Sequence, residues 1–359
     1  MSSESISGGL VKHGSSNSRM VFEETLTLSN SQPQIWRCAS PPRDECQCKM
    51  AASARIVQQL PWPVQMRGAS LSLLPFSMHR FTQSPSVRIY VKLALRLAIY
   101  ALIIFGFLAL FQDRLLYYPD KVPLATALAD ARREGLTAWP SEGDYRGLLV
   151  EPIASACGTL VLFHGNAGHA GHRDWYANVL TRFGFRVILA EYPAYGPRAG
   201  QLGEAALVSD AAETIALARQ QFQGPLFLAG ESLGAGVAAA ALIQSPTDIK
   251  GLLLITPWDK LENIGRHHYP WVPVKWLLRD RYDTVGNLNG FRGRIAVVLA
   301  EQDSIVPAQF GRDLFDSLSG LKSLWTIPGA DHNEWMNSVD DAWWRSVISF
   351  LAENQCRNR

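Results

Sequence analysis

The chain is short of charge and short of cysteine. Only 18% of its 359 residues are Asp, Glu, Lys or Arg, and the formal net charge is +2. So small an excess creates no long-range field to attract nucleic acid or an acidic partner, which argues against both. Of the five cysteines, Cys38, Cys46 and Cys48 lie in a Ser-rich leader. The remaining two, Cys157 and Cys356, are too far apart in sequence to suggest a disulfide framework. The C-x-C pair of the leader has no His or second Cys pair at zinc spacing, so no metal site is expected. Phosphate-binding motifs are missing too: there is no G-K-[ST], and no G-x-G-x-x-G with a later acidic partner. No cofactor is implied. With 47% apolar residues, the chain still has material for a good core and room for one large domain or two small ones.

What is present divides near residue 115. Residues 1–85 are rich in Ser, Pro and Gln without a sustained period of 2 or 3.6, and read as a disordered leader. Met78 offers a second translation start, which would make the preceding leader a misassigned gene start. Arg80, Arg88, Lys92 and Arg96 then precede an unbroken apolar run, LAIYALIIFGFLALF, from Leu97 to Phe111. Counted from Leu93, with Arg96 snorkelling, the run approaches the ~20 residues that cross a bilayer; a buried core helix is the alternative. Downstream, Asp113, Arg114, Asp120 and Lys121 cancel. This asymmetry predicts a single-pass transmembrane anchor over 93–112, with a cytoplasmic N-terminus and the larger part of the chain on the non-cytoplasmic side, in periplasm or lumen. FQDRLLYYP contains no small-x-small cleavage site, so an uncleaved signal-anchor is expected. Tyr117 and Tyr118 are expected at interface depth.

The rest, residues 113–359, reads as one domain. Short apolar, β-rich runs appear at GTLVLFH, FRVILAEY, GPLFLAG, KGLLLIT, GRIAVVLAE and LKSLWTIPG. Helix-like segments such as GEAALVSDAAETIALARQQF alternate with them. Continuous apolar strands separated by helices predict an α/β fold, a mostly parallel central sheet with helices on both faces. In such sheets ligands bind beyond the carboxyl ends of the strands, so chemical groups should follow strands rather than precede them.

LAGESLGAG, residues 228–236, meets that requirement. Ser232 stands two residues past an apolar strand, directly before LGAGVAAAALIQ, with Gly230 and Gly234 on either side. A nucleophile on a strained strand-to-helix turn needs small neighbours two residues before and after it. A serine hydroxyl also needs a base. His332, in PGADHNEW, follows the last strand. His267 and His268 have no strand just ahead of them, and His164 belongs to another motif. The imidazole in turn needs a carboxylate. Asp303, in AEQDSIVP, ends the preceding strand; Asp259, after KGLLLIT, is the rival, and Asp331 reads as a solvated loop residue. The order Ser232, Asp303, His332 is the Ser, acid, His order of α/β-hydrolases. An acyl-transfer oxyanion needs N–H donors. The backbone of Leu233, after the nucleophile, and of Asn166, in FHGNAG, are the candidates.

Taken together, FHGNAG, EYPAYGPRAG, GESLGAG, AEQDSIVP and PGADHNEW stand in the order and spacing of the α/β-hydrolase superfamily. With LLYYP after a single apolar segment, residues 93–355 resemble the membrane-anchored serine hydrolases related to the fission-yeast bud-emergence suppressor and to animal depalmitoylating hydrolases. The resemblance implies triad roles for Ser232, Asp303 and His332, and an oxyanion role for the loop at Asn166. One departure is visible: many relatives have Asp-Tyr-Arg-Gly-Tyr-Gly where this chain has EYPAYG, Glu191 to Gly196.

Too few residues separate the strand ending near Thr256 from the one starting near Arg294 for a large cap. That segment holds Trp258, Tyr269, Trp271, Trp276 and Leu277, either as an apolar rim for an acyl chain or as packing against the sheet. The expected activity is hydrolysis of a small-molecule or lipid-like ester or thioester at a membrane. A serine aminopeptidase, with Glu191 to hold a substrate amine, and a catalytically silent binding protein are the alternatives.

Overall fold

The structure, a computed structural model, describes residues 85–244 and 248–353. The leader expected over 1–85 lies, but for its last residue, outside the described residues. An eight-stranded sheet forms the centre. Its strands are β1 (Thr137–Pro140), β2 (Tyr145–Val150), β3 (Gly158–Phe163), β4 (Phe185–Ala190), β5 (Leu226–Glu231), β6 (Ile249–Ile255), β7 (Arg294–Ala300) and β8 (Lys322–Ile327). Across the sheet they run β8-β7-β6-β5-β3-β4-β2-β1. Every pairing from β8 to β4 is parallel, while β4–β2 and β2–β1 are antiparallel. All six strands read from the sequence are present. The two antiparallel ones were not read: in SEGDYRGLLV, which holds β2, Gly, Asp and Arg interrupt the apolar residues, and β1 is only the four residues TAWP.

Ten helices are described: α1 (Pro85–Leu116), α2 (Leu124–Arg133), α3 (Asp174–Arg182), α4 (Glu204–Gln221), α5 (Leu233–Gln244), α6 (Leu261–His268), α7 (Val274–Leu277), α8 (Thr284–Asn287), α9 (Ala308–Ser317) and α10 (Asp341–Leu351). Apolar residues of α4, α5 and α9 pack on one face of the sheet, and those of α2, α3 and α10 on the other. Covering both faces explains why β3 and β5 are buried at every position and show no two-residue alternation. Each fully buried Val, Leu or Phe there contributes about 1.5–3 kcal/mol. Between β6 and β7 stand only the short helices α6, α7 and α8, so there is no large cap. Cys157, just ahead of β3, is disulfide-bonded, although cysteine spacing gave no sign of a bridge.

Helix α1 is one helix long and apolar enough to cross a membrane. It starts at Pro85, earlier than the expected Leu93, as proline at a first helical position allows. Only Gln112 of α1 is buried, while Leu102 and Leu110 are 75% and 78% exposed, so it is no core helix.

Among the described glycines, the closest approach joins α5 to β3. A Cβ on Gly234 would sit 1.9 Å from the Phe163 carbonyl oxygen, and one on Gly230 would sit 2.3 Å from the Gly234 carbonyl oxygen. Helix α5 is apolar all round and buried from Leu233 to Ala241, so it cannot slide outward to make room. Gly234→Ala is therefore expected to lower the stability of the chain by at least ~1–3 kcal/mol, as overpacking does. Gly143→Ala, in open space, should change the urea midpoint by less than about 0.5 kcal/mol equivalent.

Candidate active site

Ser232 occupies the single residue between β5 and α5. Its φ is +53°, in the left-handed region that an L side chain adopts only at a cost of about 1–3 kcal/mol. The surroundings hold it there: Ser232 N donates to Ile255 O at 2.8 Å, and Ala235 N donates to Ser232 O at 3.0 Å. Leu233 begins α5, so its N–H has no acceptor in a preceding turn.

Asp303 follows β7 and His332 follows β8. Their side chains meet, with His332 Nδ1 2.7 Å from Asp303 Oδ2. The other carboxylate oxygen accepts from Ile305 N at 2.9 Å and Val306 N at 2.6 Å. Ionised Asp303 only accepts hydrogen bonds, so Nδ1 carries the proton and Nε2 presents its lone pair. Among the described residues neither His332 Nε2 nor Ser232 Oγ makes a hydrogen bond; such contacts often tighten only with substrate in place. Asp259, the rival acid, instead caps its own turn, accepting from Lys260 N at 2.7 Å and Asn263 Nδ2 at 2.5 Å, with burial pushing its carboxyl upward.

A second acid–imidazole pair lies at the end of β3. His164 Nε2 is 3.1 Å from Glu191 Oε1, and both side chains are buried. Here Nδ1 is occupied as well, 2.7 Å from Gly165 O. His164 thus has no nitrogen left for a substrate, whereas His332 does. Glu191 is equally spent, since its Oε2 accepts from Ala170 N at 3.1 Å. It cannot reach a substrate amine, which corrects the role expected of it under the peptidase alternative.

Asn166 is held by its side chain. Nδ2 donates to Leu116 O, while Oδ1 accepts from Tyr195 OH at 3.1 Å and Tyr118 N at 3.3 Å. Tyr118 and Pro119 pair in parallel with Ala167 and Gly168, so LLYYP braces the glycine-rich loop. Tyr117 departs from its expected interface position. It is buried, with its hydroxyl donating to Asp280 Oδ2 at 2.5 Å, and Tyr118 alone is exposed. Beneath the loop, Arg173 Nε donates to Glu231 Oε2 at 2.6 Å. The sequence showed neither this pair nor the His164–Glu191 pair.

Asp331 is no free loop residue either. It accepts from Ser304 N at 2.8 Å, Ser304 Oγ at 2.9 Å and His332 N at 2.7 Å, joining the two loops that carry the acid and the imidazole. Among metal-capable groups of the described residues, Asp120, His169 and His172 bring ligand atoms within 4.8 Å of one another. His169 Nδ1 already accepts from Gly171 N at 3.1 Å, and only three ligands converge. Of the aromatic segment, Trp258 is buried packing, whereas Tyr269, Trp271 and Trp276 are exposed. Two surface clefts, of about 440 and 530 Å³, lie at the amino ends of the strands, away from these groups.

A family model described as "Serine aminopeptidase, S33" matches residues 154–281, which include Ser232 but stop short of Asp303 and His332. An uncharacterized protein of Mycobacterium tuberculosis is 32% identical over 229 residues, 62% of this chain and 81% of that protein. The chain belongs to the α/β-hydrolase superfamily. The lysophosphatidylserine lipase ABHD12 of Danio rerio is 29% identical over 184 residues, 46% of this chain and 48% of that protein. The match thus spans about half the length of that lipase. Among solved structures, a Pyrococcus furiosus esterase has a TM-score of 0.49 at 16% identity, covering 66% of this chain and 98% of that one. Est1E of Butyrivibrio proteoclasticus with ferulic acid has a TM-score of 0.48 at 18% identity, covering 57% and 93%. In this α/β-hydrolase Ser232, Asp303 and His332 all follow strands at the carboxyl edge of one sheet.

The Asp331 clamp yields a test. Hydrogen bonds from Ser304 N, His332 N and Ser304 Oγ hold its carboxyl below the ordinary value of 3.8. A depressed folded-state value stabilises the fold above the unfolded value, and that share is lost as pH falls through the folded one. Asp331→Ala should therefore be less stable than the parent at pH 7, with the gap in urea midpoint closing below about pH 4. Loosening the two loops should also lower kcat/KM at pH 7, by up to about 10²-fold.

Proposed function

We propose that this α/β-hydrolase cleaves carboxylic ester or thioester bonds through an acyl-serine intermediate while tethered to a membrane by α1. The observation that carries the reading is the buried Asp303–His332 pair, with one imidazole nitrogen unspent, at the sheet edge that also bears Ser232 on its strained turn. Ser232 Oγ attacks the acyl carbon while His332 Nε2 takes its proton. Asp303 fixes the tautomer and stabilises the imidazolium. Charge on the carbonyl oxygen falls to the N–H groups of Leu233 and Asn166. His332 returns the proton to the leaving alcohol or thiol, and water, activated by the same nitrogen, releases the acid and restores Ser232.

The lipase relatives support an ester of a lipid-like acyl group; the thioester arm rests on the resemblance to depalmitoylating hydrolases. Helix α1, long, apolar and exposed, supports the anchor, and the basic flank at Arg88, Lys92 and Arg96 supports a cytoplasmic N-terminus. A peptidase reading has the family description in its favour, but Glu191 is buried in other bonds and leaves no carboxylate assigned to a substrate amine. A silent binding protein would have no need of Ser232 at positive φ.

A fluorophosphonate probe should label the full chain but not Ser232→Ala, and the same change should lower ester turnover by about 10⁴–10⁶-fold. Labelling that persists in the variant would move the nucleophile elsewhere. Asp303→Asn, which permits the wrong tautomer, should lower kcat by about 10⁴-fold with labelling correspondingly slowed. Assays with short acyl esters, long acyl thioesters and aminoacyl amides sort the substrate classes; turnover of the amides alone would favour the peptidase.

A further inference from the structure

The apolar run of α1 ends at Phe111, and the next residue is its one buried side chain, Gln112. Gln112 Nε2 donates to Leu277 O at 3.3 Å, and Gln112 Oε1 accepts from Arg279 N at 2.8 Å. Asp113 pairs with the Arg279 guanidinium. These bonds fix α7 beside α1 at a known level, about 1.5 Å along the axis beyond the last apolar residue. Around α7 the surface is unusual. Tyr269, Trp271 and Trp276 are 56%, 70% and 84% exposed, so three large aromatic faces meet solvent. Arg266 and Lys275, exposed in the same stretch, make no ion pair among the described residues. Exposed Trp and Tyr interleaved with Lys and Arg suit the headgroup layer, where an amphipathic ring keeps one side apolar and cations meet anionic lipids.

We propose that the segment from Arg266 to Trp276 lies in the headgroup layer of the same bilayer that α1 crosses, as a second membrane contact of the domain. The inference rests on the anchor reading, because the level of Gln112 along α1 sets the depth of α7. The contact reaches the candidate site through two hydrogen bonds: His268 Nε2 to Ile305 O at 2.8 Å, and Ile305 N to Asp303 Oδ1 at 2.9 Å. Seating this segment brings the loop of the acid close to the lipid surface, so a bilayer-dissolved ester can enter without crossing bulk water.

The test uses the full chain reconstituted in phosphatidylcholine–phosphatidylglycerol vesicles containing a lipid brominated near its headgroup. Tryptophan emission should be quenched, and the quenching largely lost in Trp271→Phe/Trp276→Phe. Hydrolysis of a long-chain ester dissolved in the vesicles should fall several-fold in that variant, with a short soluble ester unaffected. Arg266→Glu/Lys275→Glu, which keeps both tryptophans, should weaken quenching when phosphatidylglycerol is present. Equal quenching in parent and tryptophan variant, with both retained through a carbonate wash, overturns the inference alone. Release by carbonate overturns the anchor reading and this inference with it. Unquenched, blue-shifted emission together with cross-linked dimers assigns the face to a second copy of the chain and overturns the inference.

Discussion

One close approach governs the site: the Cα of Gly234 lies where even a methyl group would strike the carbonyl oxygen of Phe163. Because α5 begins immediately after Ser232, this contact brings the first turn of the helix against the end of β3. Two segments far apart in the chain, the turn at Ser232 and the loop at Asn166, are thereby pressed together. Backbone donors from the two segments can share one oxyanion only if neither is pushed away. Gly230 and Gly234 are therefore geometric requirements on either side of Ser232, the proposed nucleophile.

Buried carboxylates hold the remaining loops, and their partners distinguish support from chemistry. An unpaired buried charge costs several kcal/mol, so each acid must find donors. Glu231 finds Arg173, and Glu191 finds His164 and Ala170 N. Asp303 finds two backbone N–H groups and His332. In the first two cases the donors are used up inside the protein. Only the Asp303–His332 pair ends in an imidazole nitrogen with nothing bound to it among the described residues. A proton can be exchanged there without first breaking the fold.

This distinction explains what was legible in the sequence. Strands β3 to β7 and helix α5 could be read because burial on both faces leaves continuous apolar runs, and that pattern is local; β8, half-buried at the sheet edge, was read from its short β-rich run LKSLWTI. Ser232, Asp303 and His332 could then be placed after particular strands. The pairs His164–Glu191 and Arg173–Glu231 could not, since their members stand 27 and 58 residues apart and no period links them. Asp331 is the solvated loop residue it was read as, but adjacency to His332 hid its bonds. Its side chain turns back to the backbone N–H of His332 and across to Ser304. Tyr117 was misread: an aromatic at the end of an apolar helix looks interfacial, but Asp280 and Tyr282 draw its hydroxyl into the domain.

Tyr117 and its neighbours tie the end of α1 to the domain. A transmembrane helix followed by a free linker would let the domain tumble above the bilayer. Here Leu116 O and Tyr118 N are both bonded to the Asn166 side chain, Pro119 pairs with Gly168, and Tyr117 reaches Asp280. On the other side Gln112 is bonded to Leu277 and Arg279. The end of α1 is thus fixed at once to the glycine-rich loop and to the segment before β7. Tilting α1 relative to the sheet would break bonds at Asn166, the residue whose backbone N–H is assigned to the oxyanion. The orientation of α1 and the geometry of the loop at Asn166 are therefore one structural variable, and Tyr195 OH, bonded to Asn166 Oδ1, extends the same network into EYPAYG.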